Sequence, residues 1–265
     1  MIHRYLPQRI QFIIILSIVL ILIYSTRVIG QTISQSQHIQ FIPPPPPNIG
    51  EPDGRSRGAA SRGPACQRYE HVMALVPSLK TTQNIPWGLT TATHPTLWFY
   101  APQGLAANIP LEFILHDETG QNRYRNVVQT PETPIGVFSL SLPATADALQ
   151  LGKTYQWSVS IYCDAEVIDT PITMKGHLQR IALPARLQNQ LDATSDILER
   201  AILYAKNGIW YDTLTTLGGR IRQGNDVDVL ITSAWTDLLK QANLNGLDSE
   251  DVIVPCCAIN GEAPR

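Results

Sequence analysis

The densest group of polar side chains in this sequence is His116-Asp117-Glu118. An imidazole beside two carboxylates offers proton-transfer groups and hard metal ligands. The spacing around it supports neither use, because no H-E-x-x-H stretch and no calcium-loop pattern surrounds the group. Asp117-Glu118-Thr119-Gly120 instead has the composition of a solvated turn. Gly152-Lys153-Thr154 resembles the end of a phosphate loop, but Asp147 stands where that loop needs its earlier glycine, and a strand pattern follows rather than a helix. G-x-S-x-G, the sharp turn of an exposed serine nucleophile, is absent. Beyond the first thirty residues the histidines are His38, in a polar proline-rich stretch, and His71, His94, His116 and His177. A triad assembled in space remains open to these residues, and no spacing selects one of them. No catalytic, cofactor-binding or metal-binding residue is therefore assigned.

Sulfur and aromatic chemistry are more informative. Four cysteines allow three pairings, and without C-x-x-C or paired Cys/His spacing they do not read as a zinc site. Cys66 opens the folded region and Cys163 ends an apolar strand, so a bond between them would pin the entering chain to the sheet; this is the expected pair. Cys256 and Cys257 are adjacent, and a bond to each other, a bond to another chain and a reduced state all stay open for them. Trp98 and Tyr100 alternate with Leu97 and Phe99. One pair must face a core, and the other is either covered by helices or presented as a binding surface for a sugar or a partner protein. Tyr211-Asp212, on the helical face opposite Leu214, is either a recognition pair or a wet helix edge, and the edge is the preferred reading.

The 265 residues divide by composition. Residues 1–30 combine a basic start, an apolar run from Phe12 to Tyr24 and the exit Val28-Ile29-Gly30, the three parts of a signal peptide cleaved before Gln31. The apolar run falls short of the roughly 20 residues of a membrane span, and an uncleaved anchor is the alternative. After cleavage no stable membrane span is expected, and the destination is the periplasm or the exterior, where the cysteines meet oxidising conditions. The leader holds Arg4, Arg9 and Arg27 and no acidic residue, so 17 basic and 22 acidic residues follow it, a net of −5. That balance, with no basic stripe among aromatics, excludes nucleic acid as the expected partner. Residues 31–63 form a Gln-, Ser- and Pro-rich linker expected to stay solvated, with Pro43 to Pro47 a spacer of about 3.1 Å per residue.

From Gly88 to about Leu183 the hydrophobic period is two, within a domain expected to span 64–183. Tyr155, Trp157, Val159, Ile161 and Cys163 face one way, with Thr154, Gln156, Ser158, Ser160 and Tyr162 facing the other. Similar alternation around Leu97, Leu111 and Phe138, broken by turn residues, predicts an antiparallel β-sandwich, immunoglobulin-like in general shape. From 184 to 247 the period becomes helical. Three helices are expected: one with a stripe from Leu187 to Ala205 stopped by Asn207-Gly208, one carrying Trp210, Leu214, Leu217 and Ile221, and one capped by Asp226 or Asp228 and carrying Trp235. They should form a small subdomain on the sandwich, giving an α+β chain with a polar tail over 248–265.

Four segments carry a closer likeness: Trp87 to Thr91 (WGLTT), His94 to Pro102 (HPTLWFYAP), Leu151 to Asp164 (LGKTYQWSVSIYCD) and Gly208 to Leu217 (GIWYDTLTTL). Over about residues 64–254 the chain resembles an exported cyanobacterial domain-of-unknown-function family, the one numbered 928. The resemblance implies export and supports the domain limits, and the family's cysteines near the start and after the Tyr-Gln-Trp strand agree with Cys66 and Cys163. It implies no activity and no cofactor. The expected function is a non-enzymatic envelope module that binds a protein or a glycan. The alternatives are an envelope hydrolase with its site between sandwich and helices, lined by His94 or His116 and a carboxylate, and a structural assembly component.

Overall fold

A computed structural model describes residues 38–45, 64–78, 86–163, 171–223, 228–244, 247, 252–254 and 256–257. The leader, most of the linker, Asp226 and the end of the tail lie outside these residues. Among the described residues, nine strands form two sheets. One has the order β1-β3-β6-β9, built from Met73–Ala74, Thr96–Ala101, Gly136–Ser141 and Val252–Ile253. The other has the order β2-β8-β7-β4-β5, built from Trp87–Thr90, Ile172–Arg180, Thr154–Ile161, Pro110–Asp117 and Asn122–Gln129. The strongly alternating Tyr155–Ile161 stretch lies centrally as β7, antiparallel to β4 and β8, with Val159 opposite both Phe113 and Met174. Phe99 of β3 stacks on Phe138 at 5.3 Å and meets Trp157 of the other sheet edge-on at 6.0 Å. The two sheets thus share one apolar core.

The expectation of antiparallel pairing throughout needs correction. β2 runs parallel to β8, and β9 runs parallel to β6. Both are edge strands joined to partners remote in sequence, such as Trp87 opposite His177, so no tight hairpin dictates their direction. The result is an α+β fold with two mixed sheets, and its parallel edges depart from the immunoglobulin pattern. The expected hairpin is present: β4 and β5 pair antiparallel around Asp117–Gly120, and Gly120 takes φ +79°, which a side chain would resist. Gly152 makes a turn and Thr154 opens β7, so Gly152-Lys153-Thr154 is a turn into a strand.

Among the described residues four α-helices replace the three expected: α1 Ala185–Asp192, α2 Ile197–Lys206, α3 Trp210–Gln223 and α4 Val229–Gln241. The stripe from Leu187 to Ala205 breaks because Asp196 caps α2. Its carboxylate accepts the Glu199 N–H at 2.7 Å, while Glu199 reaches back to the Thr194 hydroxyl at 2.6 Å. This variant of the capping box outweighs a continuous apolar stripe. Asp228 caps α4 by accepting the Leu230 N–H.

Helices α2, α3 and α4 share the core of the strands, while α1 packs through Leu187 and Leu191 on Ile209 in a cluster of its own. Ala201, Trp210, Leu214, Leu217, Trp235 and Leu238 belong to the same core as the strands. The cause is β3, which is apolar on both faces. Leu97 and Phe99 serve the core between the sheets, while Trp98 and Tyr100, only 2% and 7% exposed, are buried as well. Trp98 meets Trp235 edge-on at 5.7 Å and donates to the Thr215 hydroxyl at 3.2 Å. Its ring also lies where a Cβ on Gly218 would sit, 2.6 Å away. Trp98 and Tyr100 are therefore packing residues rather than an open binding surface, because helices α3 and α4 need an apolar floor and β3 provides it.

The linker expectation also changes. Ile39 is fully buried and Phe41 is 9% exposed, whereas Gln40 and Ile42 face solvent, so this stretch docks on the helices with a strand-like alternation. Cys66, in a 3₁₀ helix Pro64–Tyr69, is disulfide-bonded to Cys163 just beyond β7, with 4.9 Å between their Cα atoms. Cys256 and Cys257 are bonded to each other.

Candidate functional site

The polar face of α3 begins with a chain reversal. Asn207 closes α2, Gly208 turns with φ +71°, and α3 starts at Trp210. Tyr211 and Asp212 thereby fall in the first turn of α3, against β2. Tyr211 is buried; its hydroxyl accepts from Trp157 Nε1 at 3.0 Å and donates to the His177 carbonyl at 3.2 Å, joining α3 to β7 and β8. Burial pushes the Tyr211 phenol well above its ordinary value.

Asp212 joins the same helix to the end of β2. The Thr90 hydroxyl donates to its Oδ2 at 2.7 Å, the Thr91 N–H donates to the same oxygen at 3.1 Å, and the Thr91 hydroxyl donates to Oδ1. Thr90 is fully buried, and its oxygen also accepts the Ala92 N–H at 3.1 Å. Arg180 supports the loop from behind by donating to the Thr91 carbonyl at 3.2 Å. Loss of water around the Asp212 carboxyl raises its pKa, and the bonds from Thr91 and Thr90 oppose that rise without cancelling it.

A cavity of about 220 Å³ opens beside this carboxyl. It is lined by Thr90, Ala92, His94, Pro95 and Thr96 from β2, β3 and their loop, by Tyr204 of α2, and by Tyr211, Asp212, Thr215 and Thr216 of α3. Three of the four segments singled out in the sequence meet here, two of them neighbours in the chain and the third more than a hundred residues further on. Burial raises the Tyr204 pKa first, and the nearby Asp212 charge adds to the rise. His94 has both ring nitrogens engaged, Nε2 with the Ala146 carbonyl at 3.1 Å and Nδ1 with the Thr93 hydroxyl at 3.1 Å. Because a carbonyl only accepts, Nε2 carries the proton, and in the neutral ring Nδ1 accepts from Thr93. Thr215 accepts from Trp98 and so keeps its own hydrogen to donate.

A second cavity, of about 320 Å³, lies at the tip of the β4–β5 hairpin and includes Asp117, Glu118, Arg123 and Lys153. Four of its charges are paired, Arg123 Nε with Asp117 at 2.8 Å and Lys153 with Glu118, and Asp147 lines it as well. The carboxylates noted in the sequence at 117 and 118 thus hold a turn and a surface ion pair. Among the described residues no three His, Cys, Asp or Glu side chains gather so as to hold a metal ion.

The structure brings His94 to the Asp212 cavity and leaves His116 at the hairpin. It overturns the reading of Tyr211-Asp212 as a wet helix edge, since Tyr211 is buried and both Asp212 oxygens are bonded to β2 and its loop. Thr90, Thr91, Tyr204, Thr215 and Thr216 had no sequence signal as site residues. The hints available were the likeness of the segments 87–91 and 208–217, which hold four of these threonines, and the Tyr-Asp pair at the start of a helix; the partners of Asp212 lie about 120 residues earlier.

A family model described as Domain of Unknown Function (DUF928) matches residues 57–252. No curated protein and no solved structure matches the chain.

Proposed function

The chain belongs to the DUF928 family, and from that premise we propose that it is an exported, non-catalytic envelope module that binds one sugar unit of a glycan in the cavity beside Asp212. One observation carries this reading: the cavity is lined with hydroxyls, while its acid–base groups are already engaged. Both Asp212 oxygens are bonded by threonines, and both His94 nitrogens are occupied. Thr90 and Tyr211 spend their hydroxyls within the fold, so the neutral groups left toward a polyhydroxyl ligand are Thr215, which keeps its hydrogen to donate, and Thr96 and Thr216, which keep acceptor capacity. The volume lies below the roughly 300–1,000 Å³ of drug-sized sites, which suits a single ring. Export rests on the composition of residues 1–30. Among the described residues no helix is long and apolar enough to cross a membrane.

Titration calorimetry of the mature chain with fragments of envelope polysaccharide tests the proposal. Thr215→Val should weaken binding about tenfold by removing one donor to the ligand. If no saccharide binds, the cavity is not a glycan site. A second reading, an envelope hydrolase, draws on the presence of His94 and Asp212 in one cavity. Cleavage of a glycosidic bond by the wild-type chain, abolished in Asp212→Asn, would replace the binding reading with that one.

A further inference from the structure

The polar cavity uses one side of the α2–α3 junction, and residues 39–44 occupy another. Ile39 is fully buried and Phe41 is 9% exposed, its ring edge-on to Trp210 with centroids 4.9 Å apart. The backbone of this stretch is held as a sheet would hold it, but by a side chain. The Gln241 amide of α4 accepts the Phe41 N–H at 2.9 Å and donates to the Ile39 carbonyl at 2.9 Å. The Ile42 N–H then donates to the Ala205 carbonyl at the end of α2, at 3.1 Å. Gly208 completes the seat: a Cβ there would lie 2.7 Å from the Ile42 carbonyl oxygen and 2.9 Å from Pro44 Cδ.

We infer that the groove formed by Ala205, Gly208, Trp210 and Gln241 is a peptide-binding site, and that residues 39–44 are its ligand supplied in cis. Three features separate this from ordinary packing. The contacts to the backbone are sequence-independent hydrogen bonds, and the side chains that enter are Ile39 and Phe41, at alternate positions of an extended chain, with Pro44 seated against Gly208; that division of labour is the one used in strand-type peptide recognition. The groove residues lie within the segment matched by the family model, 57–252, whereas the occupant lies outside it. Eighteen residues, 46–63, separate the occupant from the next described segment, so the connection is long compared with a turn. The ligand class is an extended peptide with an apolar residue, a second apolar residue two positions on and a proline three further.

The test uses the full chain with Ile39→Asp and Phe41→Asp and a fluorescent peptide of sequence 38–45. The peptide should saturate this variant with an affinity at least about tenfold above its apparent affinity for the wild-type chain, whose groove is self-occupied. Adding Gly208→Asn, whose side chain tolerates the left-handed turn and still enters the groove, to the variant should abolish uptake. A folded variant that takes up no peptide, or that takes it up equally once Gly208→Asn is added in a chain that stays folded, overturns the inference. Should the variant unfold, a wild-type chain with a specific protease site inserted after Gly54 gives the second measurement. After cleavage the N-terminal fragment should stay with the body and be displaced by excess peptide. Immediate separation, or retention that peptide does not disturb, overturns the inference equally.

Discussion

Two aspartates, one at the hairpin tip and one at the α3–β2 junction, have similar hydrogen-bond partners and opposite electrostatics. Asp117 accepts from the Thr119 hydroxyl at 2.6 Å, the Thr119 and Gln121 N–H groups at 2.9 and 3.0 Å, and Arg123. Asp212 accepts from two threonine hydroxyls and the Thr91 N–H. The Thr119 hydroxyl, followed by Arg123 and the backbone donors, drives Asp117 far below the usual carboxylate range. Packing between helix and strand drives Asp212 above it. Threonine donors are common to both sites; what differs is a cation at one and the removal of water at the other. A short polar motif therefore does not reveal whether it serves a surface turn or a buried junction.

The largest expected effect of breaking this comparison is at the junction. Asp212→Ala leaves the buried Thr90 hydroxyl and the Thr91 N–H without their acceptor, at a cost of about 2–4 kcal/mol. Urea denaturation measures it, and a loss under about 0.5 kcal/mol would mean the carboxyl does not hold the junction.

The pH dependence should have opposite signs at the two sites. Asp212 has a folded-state value above its ordinary 3.8, so the stabilisation from its protonated form is complete in acid and is lost as pH rises through the folded value. Asp117 has a depressed folded value, so its contribution is present above 3.8 and is lost as pH falls below it. Relative to Asp212→Asn, the wild-type chain should gain stability on acidification towards 3.8. Relative to Asp117→Asn, it should lose its advantage on further acidification. Thermal melts across the range check both, and parallel curves would remove the distinction.

Smaller still is Asp117→Ala. Hydrogen exchange should quicken only over about residues 117–123, because the β4–β7 ladder remains to hold β4. Lys153→Ala, at the same hairpin, should leave the melting temperature unchanged, since Lys153 and Glu118 are both well exposed and such pairs contribute little.

The strands were readable because a half-buried sheet imposes a period of two, as in Tyr155 to Ile161, and the hairpin because Asp117 and Gly120 satisfy a turn within four residues. The split between α1 and α2 was also written locally, in Asp196 and Glu199, but a continuous apolar stripe masks it. The candidate site was not readable. Thr90 and Thr91 meet Asp212 only after β2 joins the edge beside β8 and α3 settles against it.

What the amino-acid order determined by itself is everything set by near neighbours: strand and helix periods, caps, turns and the change in composition after residue 30. Tertiary structure alone decided which face of β3 the helices cover, that Ile39 and Phe41 belong to the fold, and that Asp212 is partly buried. Each of these depends on which surfaces lose water to one another across more than a hundred residues, and no local pattern in one partner names the other.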